Sequence, residues 1–348
     1  MIKIKFELRI NVYHEKASDV HITNSKENPS FEEKGSACIE DKAADTDFMA
    51  FAEQEVRRAA ANGHFSTSRN YQTALRSLTT FAGSAKLSVS QIDGTLMERY
   101  QRWLVCNGIC PNTISCYMRS LRTLYNRTVS EMGINSVNPF DKVFTGHTET
   151  VKRSIPATDI RKIINADLKG KKSLEQARDI FLFCYCALGM PFVDVAFLRK
   201  TNIKNGFITY CRHKTGQQIR IKVEPCMKRI IKKYETTDSN YVFPIISTEQ
   251  EDTAHHQYLV ALGRYNRNLK KITKLAKIST ALTSYVVRHS WASNAFEQNV
   301  DLPVISKALG HRDTKTTLTY IRGINDNRLD EANRKLLRSI QSKKKTEG

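Results

Sequence analysis

No apolar run in this chain of 348 residues approaches the ~18–20 residues that a helix needs to cross a bilayer. No membrane role is therefore expected. The opening segment, "MIKIKFELRINVYHE", interleaves Lys, Glu and Arg with apolar residues and lacks the continuous apolar stretch of a signal peptide, so the expected location is intracellular. The eight cysteines form no framework. The closest pairs, Cys184/Cys186 and Cys106/Cys110, have neither Cys-x2-Cys spacing nor histidine partners, which argues against a zinc site and for reduced thiols used as small core residues. The two tryptophans, Trp103 and Trp291, read as packing residues, and no internal repeat is visible. Acidic charge is also short, with 35 Asp and Glu against 55 Lys and Arg, a formal net charge of +20. Such an excess points to a polyanionic partner, most often nucleic acid.

The basic excess is uneven. Residues 1–50 carry 7 basic and 10 acidic side chains, so the surplus lies beyond them. It concentrates in Arg199 to Glu235, with eleven Lys/Arg against two acids, and in Arg264 to Arg288, with seven and none. Some of these lysines line solvated helix faces, but clustering of one sign without compensating acids favours a phosphate-binding surface.

Length allows two domains of ordinary size. Residues 1–45 read as an arm with a short strand (Ile4, Phe6, Leu8, Ile10), followed by a polar stretch with little to bury. Four helical segments follow over 46–135. Tyr71, Leu75, Leu78 and Phe81 form one stripe, Ile114, Tyr117, Leu121, Leu124 and Tyr125 another, and the third segment opens on a Ser-x-x-Asp capping pattern. Short connections predict a compact helical domain. The stretch "INSVNPFDKVFTGHTETVKRSIPA" carries two prolines and no helical period, and residues 136–155 within it read as a linker. The rest is mainly helical, 156–325, except that "NGFITYCRHKTGQQIRIKVEP" alternates on both sides of Lys-Thr-Gly and predicts a β-hairpin or small sheet with Lys214 at the turn. The tail, 326–348, is amphipathic, with Leu329, Leu336, Leu337 and Ile340 on one stripe. The fold class is thus mainly α with a small antiparallel sheet, in two domains.

Chemistry concentrates near the C-terminus. Tyr285, Arg288 and Ala292 share a helical face, where an arginine beside a small residue suits close approach of a phosphate. His311 follows Gly310, where a helix stops, so its ring can project into a cleft. Thr314, Thr316 and Thr317 start another helix, and Tyr320 follows within a turn. A phosphate clamp, a proton carrier and a hydroxyl nucleophile are the parts of a phosphoryl transfer.

"LTSYVVRHSWA" followed by "LGHRDTKTTLTY" resembles the C-terminal signature of the tyrosine site-specific recombinases, the phage-integrase family. Its pattern is His-x-x-Arg-His, then Leu-Gly-His-x4-Thr-Thr-x2-Tyr. The helical bundle resembles that family's core-binding domain. The wording "GMPFVD" and "YVVRHSWA" resembles that of recombinases on mobile elements of Bacteroides-type bacteria. The resemblance implies that Tyr320 attacks a DNA phosphate, forming a 3′-phosphotyrosyl bond and freeing a 5′-hydroxyl. Arg288 matches the second clamp arginine, and His311 a residue that hydrogen-bonds the scissile phosphate. Lys214 matches the lysine that protonates the departing 5′-oxygen, and His289 a supporting histidine. The implied partners are double-stranded DNA, further copies of the chain in a homotetramer on two recombination sites, and accessory DNA-bending proteins. No cofactor and no metal are implied. The implied setting is the bacterial cytoplasm, at the nucleoid.

Two positions depart from the family pattern. Tyr285 stands where a histidine is usual, and a phenol is a poor base near pH 7. The first clamp arginine belongs in "CALGMPFVDVAFL", at Leu188 or Pro191, and neither is basic, although Asp194 matches the nearby acid. Either another residue supplies the charge (Arg178 and Arg199 are nearest along the chain), or the enzyme is slow, or the protein binds DNA without cutting it. A type IB topoisomerase-like activity, with the same tyrosine chemistry, is a further alternative.

Overall fold

The computed structural model describes residues 46–150, 153–311, 313–321 and 333–338. The expected N-terminal strand and arm, and most of the tail, lie outside them. The first body is four helices: α1 (Phe48–Ala61), α2 (Phe65–Ala82), α3 (Gly94–Cys106) and α4 (Pro111–Met132). Local chemistry sets their ends. Asp47 caps α1 by accepting from the Met49 and Ala50 N–H groups at 2.9 and 3.2 Å, satisfying donors that the first turn leaves free. Pro111 opens α4, and Gly133 closes it at a φ of 65° that costs glycine little. The cap of α3 is Asp93, whose carboxylate accepts from Leu96 N–H at 2.6 Å. The expected capping pattern therefore starts three residues late, because Ser88 and Gln91 are engaged in the preceding short 3₁₀ turn.

The stripes read from the sequence converge on one core that includes Phe48, Leu78, Met97, Tyr100, Leu121 and Leu124, each at most 1% exposed. One charge is buried there. Glu55 of α1 is 3% exposed and bonded by Arg58 at 3.1 Å and by Arg127 of α4 at 2.5 Å. Burial pushes its carboxyl pKa up, but the two arginines hold it below the usual value. Phe140 and Val143, inside the expected linker, belong to this same core. Ser115 and Asn112 fasten the following residues by bonds to Gly146 O (2.6 Å) and Thr148 N (2.9 Å).

The second body contains α5 (Ala157–Ile164), α6 (Lys172–Cys186), α7 (Phe192–Ala196), a sheet, α8 (Pro225–Lys233), α9 (Glu251–Leu275), α10 (Val286–Glu297), α11 (Leu302–Leu309) and α12 (Thr314–Leu318). The sheet is antiparallel, in the order β1 (Ile203–Lys204), β2 (Phe207–Cys211), β3 (Gln218–Lys222). Ile208 faces Ile221 and Tyr210 faces Ile219, and all four are buried, so one face of the hairpin packs inward with the period of two that a strand imposes. Helix α10 is buried along most of its length (Val286 to Ser290, then Ala292 to Asn294), which makes it the central helix. Its Ser290 hydroxyl accepts the Ile155 N–H at 2.9 Å, tying the far end of the expected linker into this body. Residues 333–338 are helical, with Leu336 and Leu337 65% and 49% exposed. No helix among the described residues is long and apolar enough to cross a membrane.

Candidate active site

The site forms where α10, the α11–α12 connection and the tip of the β2–β3 hairpin meet. Arg288, one turn into α10, is 2% exposed. Its Nη1 donates to Gly189 O at 3.1 Å and its Nη2 to Leu309 O. Both carbonyls lie beside left-handed glycines, Gly189 at φ 71° and Gly310 at φ 63°. A side chain at Gly189 would crowd the Arg288 Cα at 3.2 Å, so this glycine lets the preceding loop lie against α10.

His311 follows the glycine that ends α11, as expected. Its Nε2 lies 3.2 Å from Arg288 Nη2, and its Nδ1 2.9 Å from Thr317 Oγ1. A guanidinium only donates, so Nε2 must be the accepting nitrogen and Nδ1 carries the hydrogen toward the threonine. Burial first, then the charges of Arg288, Arg212 and Lys214, pull the His311 pKa down to about 4. The ring is neutral at pH 7.

Tyr320 lies just beyond α12 and is half-buried. Its ring stacks on His289 (centroids 4.6 Å apart), tilts against His311 (5.0 Å) and receives the Arg288 guanidinium at 5.5 Å. His289 Nδ1 and Ser293 Oγ bond the Tyr320 carbonyl at 3.2 and 3.4 Å. The hydroxyl is 2.7 Å from that of Tyr285, the residue that caps α10. Burial and this contact push the Tyr285 pKa upward, so it is no base at neutral pH. A cavity of about 310 Å³ opens beside the pair, lined by Arg153, Tyr285, His289 and Tyr320 among others.

Five of the six expected site residues (Tyr320, Arg288, His311, Tyr285 and His289) thus meet in space. The sixth, Lys214, sits exposed in the hairpin turn, near enough for its charge to act on His311. Among the described residues no group of three His, Cys, Asp or Glu side chains could hold a metal.

The structure corrects the sequence reading on the missing cation. Arg178 bonds Asp179 and Ala166 O at 3.2 and 3.4 Å, and Arg199 bonds Glu249 at 3.2 Å, so both are engaged elsewhere. Arg153 lines the cavity beside Tyr320, and the cation that packs against Arg288 itself is Arg212. It is 6% exposed, and its Nη1 donates to Leu309 O at 3.0 Å and to Gly310 O at 3.3 Å. A signal for it existed. Ile208, Tyr210 and Arg212 follow the inward period of β2, so an arginine was aimed at the interior.

Comparisons with known proteins agree with this architecture. The sequence pattern of the Phage integrase SAM-like domain matches residues 47–146, and that of the Phage integrase family matches residues 153–326. The chain belongs to the phage integrase family. Its class is that of the tyrosine recombinases, site-specific enzymes that break and rejoin DNA. Over 298 residues it is 24% identical to a tyrosine recombinase of Thermosipho africanus (strain TCF52B), covering 82% of this chain and 95% of that one. Its fold is similar to the Tn1549 transposon integrase in complex with a circular intermediate DNA (TM-score 0.62, 14% identity, 84% and 99% of the two chains). It is also similar to the lambda integrase tetramer bound to a Holliday junction (TM-score 0.56, 14% identity, 84% and 82%).

Proposed function

We propose that the chain cuts and rejoins duplex DNA through a covalent bond to Tyr320, acting as a homotetramer on two recombination sites. One observation carries this reading: Arg288, His311 and Tyr320, from separate elements, converge on one small volume. In that arrangement Arg288 binds the non-bridging oxygens of a phosphodiester that sits over the Tyr320 hydroxyl. The tyrosine oxygen bonds to phosphorus, and the bond to the 5′-oxygen breaks. As Arg288 turns its Nη2 from His311 to the phosphate, the Nε2 of the neutral His311 is freed to take the phenol proton, and the imidazolium then faces the charged phosphate. Lys214 gives a proton to the departing 5′-oxygen, leaving a 5′-hydroxyl and a 3′-phosphotyrosine. Attack by a 5′-hydroxyl of another strand reverses these steps. The phosphodiester energy is retained in the protein–DNA bond, so the reaction calls for no nucleotide. Tyr285 holds the resting hydroxyl in place, and His289 fixes the nucleophile's backbone and ring.

The test is covalent trapping on nicked duplexes built from the repeats that flank its own gene. The expected result is a denaturant-resistant adduct whose modified peptide contains Tyr320, absent in Tyr320→Phe. An adduct persisting in Tyr320→Phe, or none on DNA that the protein binds, contradicts the reading.

A further inference from the structure

Two guanidinium groups are buried in this site side by side. Arg212 and Arg288 both donate to the same carbonyl oxygen, that of Leu309. One carboxylate is near, Asp194, and it does not close a bond with either arginine. Its Oδ1 accepts the His213 N–H at 2.9 Å, while its Oδ2 stands 3.8 Å from Arg212 Nε. The Nε of Arg212, the Nε of Arg288 and Asp194 Oδ2 are all buried without a hydrogen-bond partner. Burial and the neighbouring Arg212 charge both push the Arg288 pKa down. Like charges buried together with open donors are costly unless an anion completes them.

The chain makes room for this arrangement. A side chain at Gly310 would lie 2.9 Å from Arg212 Cδ and 2.8 Å from Ile219 Cδ1, so the glycine of "LGH" admits the arginine stem. Asp194 grips the hairpin at the next residue, through the His213 N–H. The loop where an arginine was expected instead presents the Gly189 carbonyl to Arg288.

We propose that Arg212 is the second cation of the phosphate clamp, and that with Arg288 it binds the non-bridging oxygens of the DNA phosphodiester attacked by Tyr320. The assignment rests on the Tyr320 reading above. Two arginines and one carboxylate leave a single positive charge, which one phosphodiester neutralises. The charge that develops as Tyr320 attacks then falls to His311 and Lys214. One hairpin carries both the clamp cation and the leaving-group acid, two residues apart, so the register that pairs Tyr210 with Ile219 positions both. The ground for reading the protein as a binder that does not cut, an absent cation, is thereby removed.

The experiment is single-turnover adduct formation at saturating protein, on the nicked duplex described above, with the cleaved phosphate mapped first. Arg212→Ala is expected to lose about 10²–10³-fold in rate. Arg212→Lys, a point charge without the fork, should recover part of the loss. Arg199→Ala should stay within about twofold of the unmodified protein, as expected of a surface substitution. The deciding comparison uses a methylphosphonate, which carries no charge, at the cleaved position. There the Arg212→Ala deficit should shrink to a few-fold, whereas a residue that only shapes the site would leave it unchanged. An undiminished deficit, or Arg212→Ala cutting phosphate at the normal rate, overturns the assignment and leaves Tyr320 as nucleophile. If Arg212→Ala does not bind DNA, the same comparison is made with Arg212→Lys. Failure of the unmodified protein to form a Tyr320-dependent adduct on bound DNA overturns both.

Discussion

The molecule contains two clusters, each built on one buried carboxylate and two arginines, in opposite arrangements. In the helical bundle the acid is inside and the bases are outside: the Glu55 side chain is 4% exposed, those of Arg58 and Arg127 64% and 50%. Both oxygens of the buried carboxylate are bonded there, and the arginine heads keep their water. In the second body the bases are inside as well. The Arg212 side chain is 7% exposed, Arg288 as a residue 2%, and the carboxylate that faces Arg212 stops at 3.8 Å. The first cluster is complete by itself and ties α1 to α4. The second has donors left over, in a place where Tyr320 and His311 also point. Composition does not separate a structural ion cluster from an anion site; what separates them is which partner is desolvated and whether its bonds are closed.

That contrast can be broken by substitution. The largest expected effect is at the nucleophile, where Tyr320→Phe should abolish adduct formation and leave DNA retention in a gel shift intact. Arg288→Gln should follow, slowing single-turnover cleavage by about 10²–10³-fold, roughly 3–4 kcal/mol in the barrier. Glu55→Gln should do the reverse, lowering stability by about 1–3 kcal/mol in a denaturant melt, the scale of hydrogen bonds to a charged group, while cleavage per bound complex is unchanged. A smaller effect separates the clusters without DNA. Inorganic sulfate at ten times its dissociation constant should stabilise the second body by about 1.4 kcal/mol. Arg212→Lys should weaken that response, and Glu55→Gln should not.

The smallest effect is a pH slope. His311 has its folded pKa pulled from its ordinary value of 6.5 to about 4. Between those values the unfolded chain binds the proton and the folded one does not, so acidification favours unfolding. The free protein should lose stability as pH falls from about 6.5 to 4, and His311→Gln should flatten that part of the curve. An unchanged slope in His311→Gln would remove the titration of His311 as the cause.

Much of this was legible in the sequence because its signals are local. Helical stripes such as Tyr71-Leu75-Leu78 became the bundle core, and alternation around Lys-Thr-Gly became the β2–β3 hairpin. The spacing from His311 to Tyr320 folds tightly enough that the two rings meet at 5.0 Å. Arg212 escaped because its evidence is not local: the carbonyl it bonds belongs to Leu309, ninety-seven positions along the chain. In a run already crowded with basic residues, it counted toward a DNA-facing surface, and the inward phase of β2 was the only clue. The contact between the Tyr285 and Tyr320 hydroxyls, thirty-five positions apart, escaped for the same reason.

The most direct test of the central claim, that the second cluster is an unfilled phosphate site, is a structure of Tyr320→Phe bound to its nicked duplex. The cleaved phosphate should lie between Arg212 and Arg288, with a non-bridging oxygen within hydrogen-bond distance of each and the His311 ring alongside. A phosphate held by Arg288, His311 and Lys214, with Arg212 still turned to the Leu309 and Gly310 carbonyls and away from it, would contradict the claim.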